Sequence, residues 1–211
     1  MPNEDTRKAR REAARKERIE AQRARERAKK RKRLMVGSLV TIVALLAGFL
    51  LFQRFQSTRG AVQKAAKQAK CSGVRQLAEL NKGTDHLPAG APDPKYNSNP
   101  PTSGPHLGST APWGAQDETV DKKLLVHNLE HGGVIIHYKD LPPKDVDAIN
   151  DLVDSYPDGV IAQPSDDIER PVAISAWRHL QTCQKVSIDV IKAFIKEHCN
   201  KGPEKLGLGC G

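Results

Sequence analysis

The sequence predicts an α+β protein: a single N-terminal transmembrane helix followed by a small extracytoplasmic domain of sheet plus helices. Three observations carry this. Residues 34–52, LMVGSLVTIVALLAGFLLF, are nineteen residues without a charge. A basic tail ending in AKKRKR lies immediately before them. Beyond them, β-branched runs bounded by glycines alternate with stretches whose apolar residues recur at helical spacing.

As a helix the apolar run is about 28 Å long at ~1.5 Å per residue, close to the hydrocarbon thickness of a bilayer. It is apolar on every face, unlike a core helix. The basic region before it is too long for a cleaved signal peptide, and QRFQSTRG after it offers no A-x-A-like site. Residues 1–33 hold 15 Lys+Arg against 6 Asp+Glu, a balance of +9 that equals the balance of the whole chain. The remaining residues are therefore neutral overall, and the basic character belongs to the tail. Basic flanks stay cytoplasmic, so the expected location is the cytoplasmic (plasma) membrane, with the N-terminus inside and the C-terminal domain outside.

The tail, TRKARREAARKERIEAQRARERAKKRKR, has Ile19 as its one large apolar residue, so it is expected to be disordered or a solvated helix. Its expected partners are the lipid bilayer and anionic lipid headgroups. Attraction to phosphate needs only positive charge, so nucleic acid has no specific support. Residues 53–70 read as a polar stalk. Residues 71–200 are long enough for one domain with one core, which must be aliphatic because the chain has only nine aromatics. Residues 201–211, Gly-rich, read as a flexible tail.

Within the domain, CSGVRQLAEL suggests a short helix. Residues 82–117, dense in Pro, Gly, Ser and Asn, form a long loop. GGVIIHYKD is a strand. PPKDVDAINDLVDSY is a helix with Pro at its start and Val146, Ile149, Leu152 and Val153 on one face. DGVIAQPS and PVAISAWRHL are two strands. SIDVIKAFIKEH is a final helix with Ser187 as N-cap and Val190, Ile191, Phe194 and Ile195 as its apolar face. The order β-α-β-β-α implies a small sheet packed with two or three helices.

The four cysteines, Cys71, Cys183, Cys199 and Cys210, would lie in an oxidising compartment, and their number is even. Three pairings are possible. Cys183 follows a strand and Cys199 ends the last helix, which favours Cys183–Cys199 with Cys71–Cys210; unpaired thiols are the alternative. No C-x-x-C occurs.

The chemical interest lies in residues 96–138. YNSNPPTSGPHLGSTAPWG carries Pro100, Pro101 and Pro105 around Gly104, so this loop is stiffened, and it delivers His106. VHNLEHGGVIIHY carries His127, Glu130, His131 and His137. If HNLEH is a helical turn, His127 and His131 share one face about 6 Å apart and can chelate a metal, with Glu130 near that face. If it is a strand, they lie about 13 Å apart, too far for one metal. Gly132-Gly133 is a plausible helix stop, and His106 is a natural third ligand. The candidate metal ligands are therefore His106, His127, Glu130 and His131. The bland alternative is that these groups satisfy buried hydrogen bonds.

YNSNPPTSGPH, APWG, VHNLEHGGVIIHY and the late SAW together resemble a bacterial family catalogued as domain of unknown function 3105. The resemblance covers roughly residues 71–200. The positions that match its motifs are Tyr96, Pro100, Pro101, Gly104, His106, Trp113, Gly114, His127, Glu130, His131 and Gly132. It implies a basic tail, one membrane helix and an extracytoplasmic domain, and it implies no established activity. The cysteines fall outside the motif.

Three classes of function remain. One is a transition-metal-binding protein for copper or zinc, since imidazole suits both. Met1 and Met35 are the only methionines, which argues against a Met-rich Cu(I) site. The second is a structural or interaction module of the cell envelope. The third is a hydrolase: HNLEH satisfies H-x-x-E-H, the inverted zinc-protease pattern, but that pattern needs a long helix and a further acidic ligand downstream. No G-x-S-x-G elbow and no phosphate-binding glycine loop occurs.

Overall fold

The structure, a computed structural model, describes residues 4–80, 86–204 and 206–210. The chain divides into two units, Met1–Thr58 and Arg59–Gly211. Residues 82–85 of the expected loop lie outside the described residues. The first helix, α1 (Glu4–Gln68), is 65 residues long, and every described side chain on its part of the first unit is exposed.

The expected membrane-spanning helix over 34–52 is corrected. Among the described residues no helix is long and apolar enough to cross a membrane. The side chains at 34, 36, 38–40 and 42 lie outside the described residues. The uninterrupted described apolar stretch, 43–52, amounts to about 15 Å of helix, half of a bilayer's hydrocarbon core. The single-pass anchor, the plasma-membrane location and the outward placement of the domain rested on that helix and fall with it.

The second unit is an α+β domain built on a six-stranded sheet. Its strands are β1 (Arg75–Gln76), β4 (Gly114–Ala115), β5 (Val134–Tyr138), β6 (Val160–Pro164), β7 (Val172–Ala176) and β8 (His179–Cys183), in the order β1-β8-β7-β5-β6-β4. β5, β6 and β4 run parallel; β5, β7, β8 and β1 alternate antiparallel. A separate parallel pair joins β2 (His86–Leu87) to β3 (His106–Leu107). The helices of this unit after α1 are α2 (Lys122–Glu130), α3 (Pro143–Asp154) and α4 (Ile188–His198).

Alternation along the central strands sorts the core into two layers. Val134, Ile136 and Tyr138 of β5 share one face with Val160, Ala162, Val172 and Ile174. That face packs on Ile149, Leu152 and Val153 of α3 and on Val190, Ile191, Phe194 and Ile195 of α4. Ile135 and Ile161 point the other way, against Leu125, Val126 and Leu129 of α2 and against Trp177. Helices thus cover both faces, which explains why VIIHY is buried at all five positions. The connection β5–α3–β6 supplies the crossover that a parallel pair requires.

Several local expectations are revised. CSGVRQLAEL forms no helix. Ser72 donates its backbone N–H to Thr182 O (2.8 Å), and Thr182 N donates to Ser72 Oγ (3.1 Å). These bonds lay the segment along β8 as an edge strand. PVAISAWRHL is not one strand, because Trp177 and Arg178, the latter at φ +63°, turn β7 back into β8. Ser187 occupies the N-cap position of α4 without a side-chain capping bond. The favoured cysteine pairing is also wrong: the bonds are Cys71–Cys183 and Cys199–Cys210. The first follows from the same edge pairing, which brings Cys71 to the end of β8. The second closes the C-terminal segment onto the end of α4.

His137 lies on the α2 side of β5 and is fully enclosed. Gln163 Oε1 accepts from Val120 N–H (2.6 Å), so its amide nitrogen must be the donor to His137 Nδ1 (3.0 Å). His137 Nε2–H then donates to Ser175 Oγ (3.0 Å). Burial pushes this imidazole down to about 4 from the ordinary 6.5. A histidine with a depressed folded pKa costs nothing above about pH 6.5; below it, the unfolded chain takes up a proton that the fold refuses. Denaturant unfolding should therefore show about 2 kcal/mol of His137-linked stability lost between pH 7.5 and 5. His137→Asn, which cannot charge, should flatten that slope by this amount. Identical slopes in both proteins would mean that His137 is not held neutral.

Candidate functional site: a histidine–carboxylate cluster

Helix α2 is the platform of the cluster. Its start is capped by Asp121, whose side chain accepts from Lys123 N (2.8 Å). Its apolar face is clamped to the sheet. The other face presents His127 and Glu130, and His131 sits at the C-cap. The helix ends because Gly132 takes φ +89°, a conformation that favours glycine. Gly132 N–H bonds to Leu129 O and Gly133 N–H to Asn128 O, both at 2.9 Å. HNLEH is therefore helical up to its last residue, the geometry that chelation by this pair demanded.

His106 is brought in by the proline-rich loop. Tyr96 OH donates to Pro105 O (2.9 Å), and Asn99 Nδ2 donates to Asp167 O (2.6 Å). Ser103 Oγ accepts from Leu80 N (3.1 Å). Asn128 of α2 pins the next stretch, accepting from Ala111 N (2.8 Å) and donating to Ala111 O (3.0 Å). Thr102, Ser103 and His106 are buried completely. These bonds tie the loop to α2 and to the rest of the domain.

The ring nitrogens are sorted by backbone carbonyls. His106 Nδ1–H donates to Gly104 O (2.8 Å), and His127 Nδ1–H donates to Leu107 O (2.7 Å). A carbonyl can only accept, so in each neutral ring Nε2 is the bare nitrogen, turned inward. His106 Nε2 lies 3.0 Å from Glu130 Oε2, and His127 Nε2 lies 4.0 Å from that oxygen and 3.0 Å from His131 Nε2. Facing acceptors at 3.0 Å repel unless a proton or a cation lies between them. Burial holds His127 below the ordinary imidazole value, opposed by its bond to Leu107 and reinforced by His131, His106 and His86. Burial raises the Glu130 carboxyl, opposed mainly by His106.

Of the four residues expected to converge, His106, His127 and Glu130 do so directly. His131 touches His127 but groups with Glu130 and Glu204, whose Oε2 is 3.0 Å from His131 Nε2. The place beside His106 and His127 is taken by His86. Ligand atoms of His86, His106, His127 and Glu130 all lie within 4.8 Å of one another. The His86 ring is 5.1 Å from that of His106 and 5.0 Å from that of His127. A group of histidines and a carboxylate is thus placed so that it can hold a metal ion. The sequence reading missed His86 because its position depends on the parallel pairing of two-residue strands that set it opposite His106. It missed Glu204 because residues 201–211 looked like a free tail.

At the N-terminal end of α2 a cleft of about 450 Å³ is lined by Asp93, Asp121, Lys122, Gln163 and Asp167 among others. Three of its acids are engaged: Asp93 by Lys122 (2.8 Å) and Lys123 (3.3 Å), Asp121 by the helix cap, and Asp167 by Ser165 Oγ (3.0 Å). It offers no convergent ligand set comparable to the histidines.

A family described as "Protein of unknown function (DUF3105)" matches residues 91–208, more than half of the chain. The chain belongs to this family. The match takes in His106, His127, Glu130, His131 and Glu204, and leaves His86 outside. No curated protein and no solved structure matches.

A Cβ on Gly132 would sit 2.9 Å from the Asn200 Cα, besides forcing an unfavourable φ. Gly132→Ala should cost about 1–3 kcal/mol, read as a lowered denaturation midpoint. An unchanged midpoint would show that the turn is not under this constraint.

Proposed function

We propose that the domain is a transition-metal-binding module that takes one copper(II) or zinc ion between His86, His106, His127 and Glu130. The observation that carries the reading is the orientation of His106 and His127. Each spends its Nδ1–H on a backbone carbonyl and turns Nε2 toward Glu130. This is how metal-ligating imidazoles are commonly held, with the outer N–H fixing ring and tautomer. Metal–ligand bonds of about 2.0–2.1 Å give a tetrahedron with edges of about 3.4 Å, and the separations of 3.0 and 4.0 Å to Glu130 Oε2 bracket it. Three imidazoles and a carboxylate form a borderline donor set suited to either metal.

A binding role fits better than a hydrolase. In the inverted zinc-protease pattern both histidines of H-x-x-E-H ligate from one continuous helix, while the glutamate stays free as a base. Here α2 ends at Glu130, and Glu130 faces His106.

The full-length chain, purified without chelator, should carry copper or zinc at about one equivalent or more by elemental mass spectrometry. His127→Ala should weaken binding at least about 100-fold, the upper end of what losing even an outer partner costs. Glu130→Gln should weaken it about 10-fold, and His179→Ala should leave it unchanged. Protons compete for the imidazoles, so affinity should fall with falling pH, beginning near about 6.5 for an ordinary ring. Burial at His127 delays its own competing proton to lower pH. A chain that remains metal-free after copper and zinc have been offered, with an unaltered fold, would leave the cluster as hydrogen-bonded structure.

A further inference from the structure

The cluster does not end at the four residues of the first site. His131 Nε2 lies between two acceptors, His127 Nε2 and Glu204 Oε2, each at 3.0 Å. Ligand atoms of Glu130, His131 and Glu204 lie within 4.8 Å of one another. Glu130 therefore belongs to both groups, and its carboxylate has two oxygens to share. A carboxylate between cations about 3.5–4 Å apart is the usual arrangement of a two-metal centre.

Glu204 is not there by the accident of a loose tail. The segment that carries it is closed by the Cys199–Cys210 disulfide. It is then tied to the α2–β5 turn. Asn200 N–H donates to Gly132 O (2.9 Å), and Glu204 N–H donates to Glu130 O (3.1 Å). Asn200 also braces the loop internally, accepting from Leu208 N (2.7 Å) and donating to Leu208 O (2.9 Å). Gly202 runs so close to the end of α2 that an added Cβ would collide with Glu130 O. A disulfide, four backbone or amide bonds and one close glycine contact together aim one carboxylate at one histidine. Glu204 is 57 % exposed and His131 18 %, so water can complete the coordination of a cation there.

We infer that the centre is dinuclear: a second divalent cation binds between His131 and Glu204, with Glu130 shared with the first. This rests on the metal-binding reading of the first site and extends it. The disulfide-closed loop is the part of the fold that supplies the second site.

The test uses the full-length chain, stripped by chelator and titrated with zinc alone. Wild-type protein should take up two zinc ions, and Glu204→Gln should take up one. Glu204 is exposed, so this substitution leaves the core untouched, and circular dichroism checks that it does. One zinc in the wild type would overturn the second site and leave the first standing. Two zinc ions in Glu204→Gln would overturn the assignment to Glu204. No zinc in either, with the fold intact, and no copper(II) bound when it is offered in turn, would overturn both sites. Copper(II) supplies an independent readout. Two copper(II) ions sharing Glu130 lie close enough to couple, so the paramagnetic resonance spectrum at two equivalents should show a half-field transition and dipolar broadening. A spectrum of two isolated copper(II) ions would overturn the shared carboxylate. Replacing Cys199 and Cys210 together by serine should weaken the second zinc about 10-fold and spare the first. An unchanged second affinity would overturn the loop's part in it.

Discussion

After Glu130 the chain leaves a helix and enters a central strand within three residues, and nearly everything at the cluster depends on how it does so. Gly132 supplies the positive φ, and its missing side chain lets the backbone of Asn200 approach. Gly133 gives way in the same manner to the ring of Trp113, which an added Cβ would meet at 2.7 Å. The turn thus sets three things together. It stops α2 with His127, Glu130 and His131 on its last turn, delivers β5 to the middle of the sheet, and receives the C-terminal loop. A longer connection would free the helix end to fray, and the carboxylate of Glu130 would lose its fixed relation to His106.

The second constraint is electrostatic. Glu130 is almost fully buried, and His106 entirely so. Burying such groups is costly unless their hydrogen-bonding capacity is met. The outer nitrogens of His106 and His127 are met by carbonyls. The inner ones face the Glu130 carboxyl and His131 Nε2, so each contact needs a shared proton or a cation. Protons serve here, and burial biases both His127 and Glu130 toward their neutral forms. A cation, as proposed, would do the same work while also using the lone pairs.

The regular elements of the domain were legible because their signals are local. The faces of α3 and α4 follow from apolar spacing, and β5 and β6 from short β-branched runs between glycines. The helical state of HNLEH could be posed only as a condition, since nine residues with modest amphipathicity do not declare themselves. What stayed hidden was long-range. Pairing of residues 72–76 with β8 decides the Cys71–Cys183 bond, and no periodicity in CSGVRQLAEL announces an edge strand. His86 depends on a register between two-residue strands twenty positions apart. Glu204 depends on the Cys199–Cys210 disulfide, whereas the sequence favours Cys183–Cys199 with Cys71–Cys210. The apolar run at 34–52 shows the opposite failing: a strong compositional signal pointed to a membrane helix, and no helix among the described residues meets the requirement.

His137 and the cluster histidines are held in two different ways. Both environments are buried, and both hold the imidazole by two hydrogen bonds. Around His137 the donors and acceptors alternate without conflict. Val120 N–H gives to Gln163, Gln163 gives to Nδ1, and Nε2–H gives to Ser175. Every group has one role and fills it, so nothing further is required. Around His106 and His127 the outer bonds force the inner nitrogens into the acceptor role, and what they face, the Glu130 carboxyl and His131 Nε2, gives a hydrogen only in one protonation or tautomeric state. Burial and proximity are the same in the two cases. The difference lies in whether fixed donors and acceptors close on themselves: around His137 they do, and in the cluster the inner contacts depend on where a shared proton or a cation sits.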